Sequence, residues 1–245
     1  METRDDVIWG KRAVEEMLLT GAPLKRVLLS DQARPSLTGR IRELAKTRGV
    51  ECKLAPNAKL SEMAHTLDHG GVIALTARVS TLDLAGFLSL PLSARQVVFA
   101  FDGVENPRNL GMAARSLVAA GVSHILIPQS GSAQPDSVYL EASAGTGDRI
   151  GIVRVAKLAD TLGNLRDAGY WIFGLDGEAK LSLWQHALPM PAVFVMGGEA
   201  KGLRPTVRKV LHEAISIPMQ GAVESLNVAV SASLVAFEVQ RRRLG

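Results

Sequence analysis

Polar side chains gather in three short segments of the second half of the chain, each placed between apolar runs. The first segment is ENPRNLGMAAR, residues 105–115, which follows a run of strand length and opens a stretch with helical spacing. Its Asn106 and Pro107 fit an ordinary helix start, because asparagine caps helices and proline is favoured at the first helical position. Asn109 and Arg115 are not needed for that purpose. They are candidates for chemistry, although a single helical arginine is by itself typical of a solvated or ion-paired surface.

The second segment is VMGGEAKGL, residues 195–203, a glycine-rich turn after an apolar strand. Glycine allows positive φ or the close approach of a backbone to a ligand. The segment lacks the Gly-Lys-Ser/Thr ending of a P-loop, and it lacks the third glycine and later acid of a dinucleotide-binding fingerprint. A purely structural interpretation is a helix cap at which Glu199 favours the positive end of the helix.

The third segment is IPMQGAVESLNVAVSASLVAF, residues 217–237, in which a loop leads from a short strand into an apolar helix. We expect that helix to start near Ser225, with Ser225 as its N-cap and Asn227 in its first turn. The helix is apolar nearly all round, which predicts that it is buried. A serine and an asparagine at a buried helix end need polar partners.

The composition disfavours several other kinds of site. Cys52 is the only cysteine, which excludes intrachain disulfides and cysteine-based zinc sites and favours a reducing cytoplasm. His65 and His69 could share a helix face, but no further ligand pattern accompanies them, so no metal is expected. Ser225 lacks a nucleophile-elbow sequence and the three segments contain no histidine, which disfavours a serine hydrolase.

The charge balance and the hydropathy limit the kinds of partner that the protein can have. A net charge of +4 permits nucleic-acid binding but also fits an ordinary solvated surface. No apolar run is long enough to cross a bilayer and the N-terminus lacks a signal-peptide pattern, so we expect no membrane association.

The elements around the three segments predict an α/β protein with two parts. Over residues 1–80, short β-like runs alternate with amphipathic stretches, which predicts a small α/β domain. Residues 81–96 are rich in Leu, Ser and Pro, and we interpret them as a linker. Over residues 97–245, apolar runs of strand length predict a parallel sheet that is covered on both faces. These runs are VVFAFD, HILIP, GIVRV, YWIFGLD, AVFVMGG and AISIP, and the helical patterns between them are NLGMAARSLVAAG, LADTLGNLRDAG and GLRPTVRKVLH.

Ligands of open parallel sheets bind beyond the carboxyl ends of the strands, which is where the three polar segments fall. Together, and in this order, the segments resemble the three motifs of the SpoU (TrmH) family of RNA 2′-O-ribose methyltransferases. The motifs stand here as NPRNLGMAAR, FVMGGEAKGL and IPMQGAVESLNVAVSAS. The sequence departs from the family pattern at Ala229, where serine is usual, and at Ala200-Lys201. Neither change removes a polar residue to which the family assigns a role.

The resemblance extends over nearly the whole chain. The opening VIWGKRAVEEML resembles the start of the ribosomal-protein-like RNA-binding domain that precedes the catalytic domain in the rRNA branch of the family. The tRNA branch typically lacks this domain. Within the family, the chain therefore resembles the 23S rRNA guanosine-2′-O-methyltransferases of the RlmB type.

The family implies S-adenosylmethionine as the methyl donor, RNA as the substrate, a homodimer, and a trefoil knot in the C-terminal domain (SPOUT type). General connection rules alone would favour an unknotted doubly wound sheet. By resemblance, the donor pocket is formed around Gly197, Gly198, Ile217, Met219 and Leu226. The resemblance gives catalytic or positioning roles to Asn109, Arg115, Glu199, Ser225 and Asn227.

Arg115 is the family's proposed catalytic residue, and two versions of its role stay open. Free arginine has a pKa above about 12, so a neutral guanidine is costly. In one version, burial and a substrate phosphate help Arg115 to accept the proton of the ribose hydroxyl. In the other, Arg115 stays cationic and stabilises the developing alkoxide.

Three alternatives stay open beside a 23S rRNA methyltransferase. One is a tRNA or antibiotic-resistance rRNA methyltransferase of the same family. Another is a non-catalytic RNA-binding factor of ribosome assembly on the same scaffold, although every polar motif residue is retained. The third is a nicotinamide-dependent oxidoreductase, which the missing fingerprint disfavours.

Overall fold

The computed structural model describes residues 6–20, 24–76, 81–135, 137–144, 146–147, 149–221 and 225–244. The chain divides into two compact units, Met1–Arg78 and Val79–Gly245. Among the described residues, no helix is both long enough and apolar enough to span a membrane.

The first unit is a four-stranded sheet with helices on both faces. Its elements are β1 (Asp6–Trp9), α1 (Lys11–Thr20), β2 (Leu24–Ser30), α2 (Pro35–Thr47), β3 (Glu51–Ala55), α3 (Asn57–Ala64) and β4 (Val72–Thr76). The strand order is β1-β4-β2-β3, in which β4 runs antiparallel to β1 and β2, and β2 and β3 are parallel. Side chains alternate between the faces of a strand. Accordingly, Val27 and Leu29 pack with α1 and α2, whereas Leu28 packs with Leu60 of α3.

The second unit is an eight-stranded sheet. It begins with β5 (Thr81–Leu82), α4 (Leu84–Leu88), a 3-10 turn (Leu92–Ala94), β6 (Val97–Asp102), α5 (Pro107–Ala119), β7 (His124–Pro128), α6 (Ser137–Ala142) and β8 (Gly151–Val155). It continues with α7 (Leu158–Asp167), β9 (Trp171–Leu175), β10 (Leu181–Ser182), β11 (Ala192–Gly197), α8 (Pro205–Arg208), β12 (Glu213–Ser216) and α9 (Val228–Leu244). The strand order is β10-β12-β9-β11-β6-β7-β8-β5, and every pairing is parallel. The predicted α/β class and parallel sheet are therefore confirmed.

Helices cover both faces of the large sheet, which explains why its strands are apolar throughout. In β6, Phe99 and Phe101 pack in one core with α5 and α9. Val98 and Ala100 point to the opposite face, where they pack in a second core with α4, α7 and α8. All six runs that the sequence predicts as strands lie in this sheet.

The segment 81–96, which we interpret from its composition as a linker, contains folded structure in the second unit. Its strand β5 pairs with β8 at the edge of the large sheet. The side chain of Asp83 caps α4 by accepting a hydrogen bond from the Gly86 amide at 2.7 Å. Phe87 is fully buried, and Leu84 and Leu88 pack beside it. An apolar pattern of only five helical residues is too short to show a helical period, which is why composition alone suggested a connection.

The stretch GLRPTVRKVLH is predicted as a helix, but α8 has only four residues. The chain leaves the helix because His212 pairs with the backbone of β9. The His212 amide donates to the Ile172 carbonyl at 2.9 Å, and the Ile172 amide donates to Nδ1 of His212 at 3.0 Å. The His212 ring also stacks on Trp171.

The prediction that α9 is buried on all sides is wrong for the single chain, in which one face of the helix is exposed. Its inner face packs against α5 and β11. Its outer face exposes Val230 (48%), Leu234 (36%) and Phe237 (48%). These residues repeat at spacings of four and three, so they form one apolar stripe along the helix.

A buried carboxylate anchors the C-terminal end of α9. Glu238 is only 7% exposed, and it accepts hydrogen bonds from Arg241 at 2.8 and 2.9 Å and from Arg242 at 2.6 Å. Arg242 also donates to the backbone carbonyls of Leu183 and His186. The hydrogen bond from Arg241, assisted by Arg242, outweighs the effect of burial and lowers the pKa of Glu238 from 4.5 to about 2.

We expect Glu238→Gln to lower the free energy of unfolding at pH 7 by about 1–2 kcal/mol, a value reduced for the solvent exposure of Arg241. Because the pKa of Glu238 is depressed in the folded state, its contribution is complete above about pH 4.5 and is lost as the pH falls towards 2. Thermal unfolding between pH 3 and pH 7 should therefore show a gap between parent and variant that narrows below about pH 4.5. Asp167→Asn, at an exposed carboxylate, is the control. A gap of constant size across this pH range would contradict the assignment.

Candidate active site

One residue from each polar segment joins a single hydrogen-bond chain. Asn109 lies in the first turns of α5 and is buried. Its Nδ2 donates to Oε1 of Glu199 at 2.6 Å, and its Oδ1 accepts from Nδ2 of Asn227 at 3.1 Å. Residues separated by 90 and 118 positions are thus brought into contact at the carboxyl end of the sheet.

The starts of α5 and α9 position two of these asparagines. Asn106 caps α5, since its side chain accepts from the Arg108 amide at 2.9 Å, and Pro107 occupies the first helical position, as predicted. In α9, the cap is Asn227, whose Oδ1 accepts from the Ala229 amide at 2.8 Å.

The prediction that Ser225 caps α9 is therefore wrong by two residues. The carbonyl of Asn227 accepts from the Ser231 amide, as the residue that precedes the first helical turn does. Ser225 instead lies in the loop before the helix and is exposed. The side-chain Oδ1 of Asn227 accepts a hydrogen bond from its own helix, and the side-chain Nδ2 donates one to Asn109. The orientation of this side chain is therefore fixed from both sides.

The glycine-rich turn after β11 closes on itself. Gly198 and Gly202 exchange two backbone hydrogen bonds of 3.2 and 2.9 Å. A Cβ atom on Gly197 would lie 2.7 Å from the Leu203 nitrogen, and one on Gly198 would clash with the backbone of Gly103. These glycines are required because one backbone segment passes closely over another.

Glu199 stands in this turn and is exposed. The helix α8 begins only at Pro205, so the purely structural interpretation of Glu199 as a charge at a helix N-terminus is wrong. Its carboxylate instead accepts the hydrogen bond from Asn109.

Asp102 is a structural anchor of the site that the sequence did not single out. It ends β6, and its side chain is fully buried. Its Oδ2 accepts from the Arg204 amide at 2.7 Å, and its Oδ1 forms an ion pair with the Arg204 guanidinium. The only signal in the sequence is an acid at the carboxyl end of an apolar strand. The ion pair holds the end of the glycine-rich turn against the sheet.

A cavity of about 360 Å³ opens among the loops that follow β9, β11 and β12. All five positions that the resemblance assigns to the donor pocket line it: Gly197, Gly198, Ile217, Met219 and Leu226. Glu199, Ser225 and Asn227 line it as well. Its size falls in the range of about 300–1,000 Å³ that is usual for small-molecule sites. Apolar side chains, backbone edges and a few polar groups fit a nucleoside-containing ligand such as S-adenosylmethionine.

Arg115 lies apart from this group. It is exposed on α5, six residues after Asn109, which corresponds to roughly 240° around the helix and about 9 Å along it. It does not line the cavity. Within the described ranges, its guanidinium forms no hydrogen bond or ion pair. Of the predicted catalytic residues, the structure brings together Asn109, Glu199 and Asn227, with Ser225 at the same cavity.

Among the described residues, no group of three or more His, Cys, Asp or Glu side chains could hold a metal ion. The fold and the site together define a parallel α/β enzyme with a small-molecule cavity at the carboxyl ends of its strands.

Residues 96–237 match the SpoU rRNA Methylase family, and residues 7–82 match the family described as RNA 2′-O ribose methyltransferase substrate binding. The chain therefore belongs to the SpoU rRNA methylase family.

Known proteins agree with this assignment over the full chain. The chain is 36% identical over 250 residues to the 23S rRNA (guanosine-2′-O-)-methyltransferase RlmB of Xanthomonas axonopodis pv. citri, covering all of both chains. Among solved structures, it is similar to an RNA 2′-O ribose methyltransferase, with a TM-score of 0.64, 26% identity and coverage of 99% of this chain and 90% of that chain. The fold also matches an AdoMet-bound rRNA methyltransferase from Sinorhizobium meliloti, with a TM-score of 0.64, 23% identity and coverage of 99% and 88%.

Proposed function

We propose that this protein transfers a methyl group from S-adenosylmethionine to the ribose 2′-hydroxyl of a guanosine in 23S rRNA. The observation that carries the proposal is the hydrogen-bond chain of Asn109, Glu199 and Asn227, which stands at a cavity lined by all five expected donor positions. The full-length similarity to a relative named for guanosine methylation in 23S rRNA supports the substrate. The match of residues 7–82 to a substrate-binding family supports RNA recognition by the first unit.

The bound donor supplies a methyl group on a positively charged sulfur. The chain's own residues hold the polar edge of the cavity in one arrangement. Asn109 orients the Glu199 carboxylate, and Asn227 is fixed by its helix and by Asn109. Groups fixed in advance lose little freedom when reactants bind, and alignment of reactants contributes roughly 7–11 kcal/mol in good cases.

Arg115 is the residue we expect to act on the ribose hydroxyl. Its exposed guanidinium is available to an RNA phosphate or to the developing alkoxide, and it extends from the helix that also carries Asn109. Exposure to solvent supports the version in which Arg115 stays cationic, because arginine is protonated in proteins unless it is strongly perturbed. The version with proton acceptance requires that bound RNA bury this side chain.

Methyl transfer in vitro tests the proposal. Purified protein is incubated with donor carrying a radioactive methyl group and with 23S rRNA, 16S rRNA or tRNA from cells that lack the modification. We expect label in 23S rRNA, at a nucleotide whose 3′ phosphodiester bond resists alkaline hydrolysis because its 2′-hydroxyl is methylated. Label in tRNA alone would favour the tRNA branch of the family, and no label in any RNA would favour a non-catalytic binding protein.

We also propose that the protein is a homodimer, as the family implies, with the stripe of Val230, Leu234 and Phe237 at the interface. Met112 is exposed on α5, which packs directly against α9. An exposed apolar stripe on a soluble protein is typical of an interaction surface. Arg115 lies one helical turn after Met112, so the interface would border the catalytic residue.

The double substitution Leu234→Glu and Phe237→Glu is expected to convert a two-chain particle into a single chain, because two carboxylates would be desolvated at the interface. Light scattering coupled to gel filtration measures the mass. Leu92→Glu replaces another exposed leucine of the second unit and should leave the mass unchanged. A parent protein with the mass of one chain would refute the dimer, as would a double variant that keeps the mass of two.

A cytoplasmic location and a trefoil knot belong to the same proposal. The location follows from the proposed substrate, since ribosomal RNA is a cytoplasmic molecule in bacteria. The knot is what the family implies for the loops after β11 and β12, which together line the cavity.

A further inference from the structure

An ion pair that belongs to none of the three motifs lies in the wall of the cavity. Asp176 follows β9 directly, and Arg208 is the last residue of α8. Nη1 of Arg208 donates to Oδ2 of Asp176, and both residues line the cavity. The pair is therefore placed where it can touch a bound ligand.

Both members of the pair are held by backbone groups. Nε of Arg208 donates to the Leu203 carbonyl at 3.2 Å, and Oδ1 of Asp176 accepts from the Glu178 amide at 3.1 Å. Nη2 of Arg208 is not used in these contacts and lies on the side of Gly202, another cavity residue. The pair thus connects the loop after β9 to the glycine-rich turn and keeps one guanidinium nitrogen available.

The pair brings a positive and a negative group together in the cavity wall. Among the described residues that line it, Arg208 is the only cation, and Asp176 and Glu199 are the only carboxylates. Glu199 is engaged by Asn109. Burial raises the pKa of Asp176, but hydrogen bonds from Arg208 and the Glu178 amide outweigh it and the net shift is downward. Near neutral pH, the pair therefore presents one positive and one negative charge side by side, and the Glu199 carboxylate adds a second acidic group to the wall.

A ligand that suits such a wall carries two opposite charges of its own. The amino-acid end of S-adenosylmethionine carries a carboxylate and an ammonium group on one carbon atom. Guanidinium groups bind carboxylates through strong charge-assisted hydrogen bonds, and carboxylates accept from ammonium groups in the same way. The rest of the cavity wall is mainly apolar side chains and backbone, which suits the adenosine part.

We propose that Arg208 and Asp176 recognise the amino-acid end of the methyl donor, with Arg208 binding its carboxylate and Asp176 its ammonium group. The inference rests on the proposed function, since it presumes this donor. It adds two specificity-determining residues that lie outside the motifs. It also gives this partly exposed ion pair a role in binding, whereas exposed pairs contribute little to stability.

Titration calorimetry with two ligands tests the proposal without any turnover. S-Adenosylhomocysteine carries the amino-acid end, whereas 5′-methylthioadenosine has the same adenosine and thioether but lacks that end. We expect Arg208→Gln and Asp176→Asn each to weaken the binding of S-adenosylhomocysteine about tenfold or more. This is the scale of one lost charge-assisted hydrogen bond. The affinity for methylthioadenosine should stay close to that of the parent protein.

The matched control is Lys209→Gln, at an exposed cation next to Arg208 that does not line the cavity, and it should bind both ligands like the parent. Equal losses for the two ligands in the Arg208 and Asp176 variants would overturn the proposal, because the pair would then only support the wall or contact the adenosine. Unchanged binding of both ligands would also overturn it. A parent protein that binds neither ligand would overturn the proposed donor itself, which is a distinct result.

Discussion

Replacement of Arg115 by alanine is expected to lower the rate of methyl transfer by about 10²–10⁴-fold, the range for removing a general base or a group that stabilises a developing oxyanion. Both versions of the Arg115 mechanism predict this loss. Binding of the donor should largely survive, because Arg115 does not line the cavity. Single-turnover methylation of 23S rRNA measures the rate, and calorimetry with S-adenosylhomocysteine measures the affinity.

Arg115→Lys should also collapse the rate, because an ammonium group does not reproduce the planar, forked geometry of a guanidinium group. Arg108→Ala is the matched control, since Arg108 is another exposed arginine on α5 and outside the cavity. The control should keep most of the activity. Near-normal turnover of the alanine variant at position 115 would make both versions wrong.

The second large effect is expected for Asn109→Ala. Asn109 is buried, and its loss leaves the Glu199 carboxylate and the Asn227 amide without the partner that orients them. We expect turnover to fall about 10²-fold, the scale of a misplacement of about 1 Å in a catalytic group. The free energy of unfolding should fall by about 1–3 kcal/mol, because the two part-buried hydrogen bonds of Asn109 are lost.

Asn109→Ala should also weaken the binding of the donor modestly, since Glu199 and Asn227 both line the cavity. That change separates it from Arg115→Ala, for which donor binding stays. Asn164→Ala, at an exposed asparagine of α7, serves as the control for both turnover and stability. Full activity in the Asn109 variant would show that the hydrogen-bond chain has no part in catalysis.

The strands of the second unit could be predicted well from the sequence because strands buried on both faces are continuous apolar runs. All six predicted runs are strands of the large sheet. Short elements could not be predicted in the same way. The helix α4 is too brief to show a period, and α8 ends early because His212 bonds to β9, a contact that the local sequence does not contain.

The residues of the site could be predicted less completely than the strands. Asn106 and Pro107 follow from local capping rules alone, but the hydrogen bond between Asn109 and Glu199 joins residues 90 positions apart. Only the order of the three motifs, through the family resemblance, suggested that these residues meet. The anchor Asp102 was missed because a single acid after a strand carries no specific signal. The cap of α9 was placed at Ser225 because serine and asparagine are equally good caps.

Mapping of ribose methylation in cellular RNA shows whether this chain methylates a ribose in 23S rRNA. RNA is compared between a strain that lacks the gene, the same strain complemented with the parent chain, and the strain complemented with the Arg115→Ala variant. We predict that one 2′-O-methylguanosine of 23S rRNA disappears in the deletion strain, returns with the parent chain and does not return with the variant. A mark that is lost from tRNA instead, or a 23S rRNA pattern that is identical in all three strains, would contradict the assignment of 23S rRNA as the substrate.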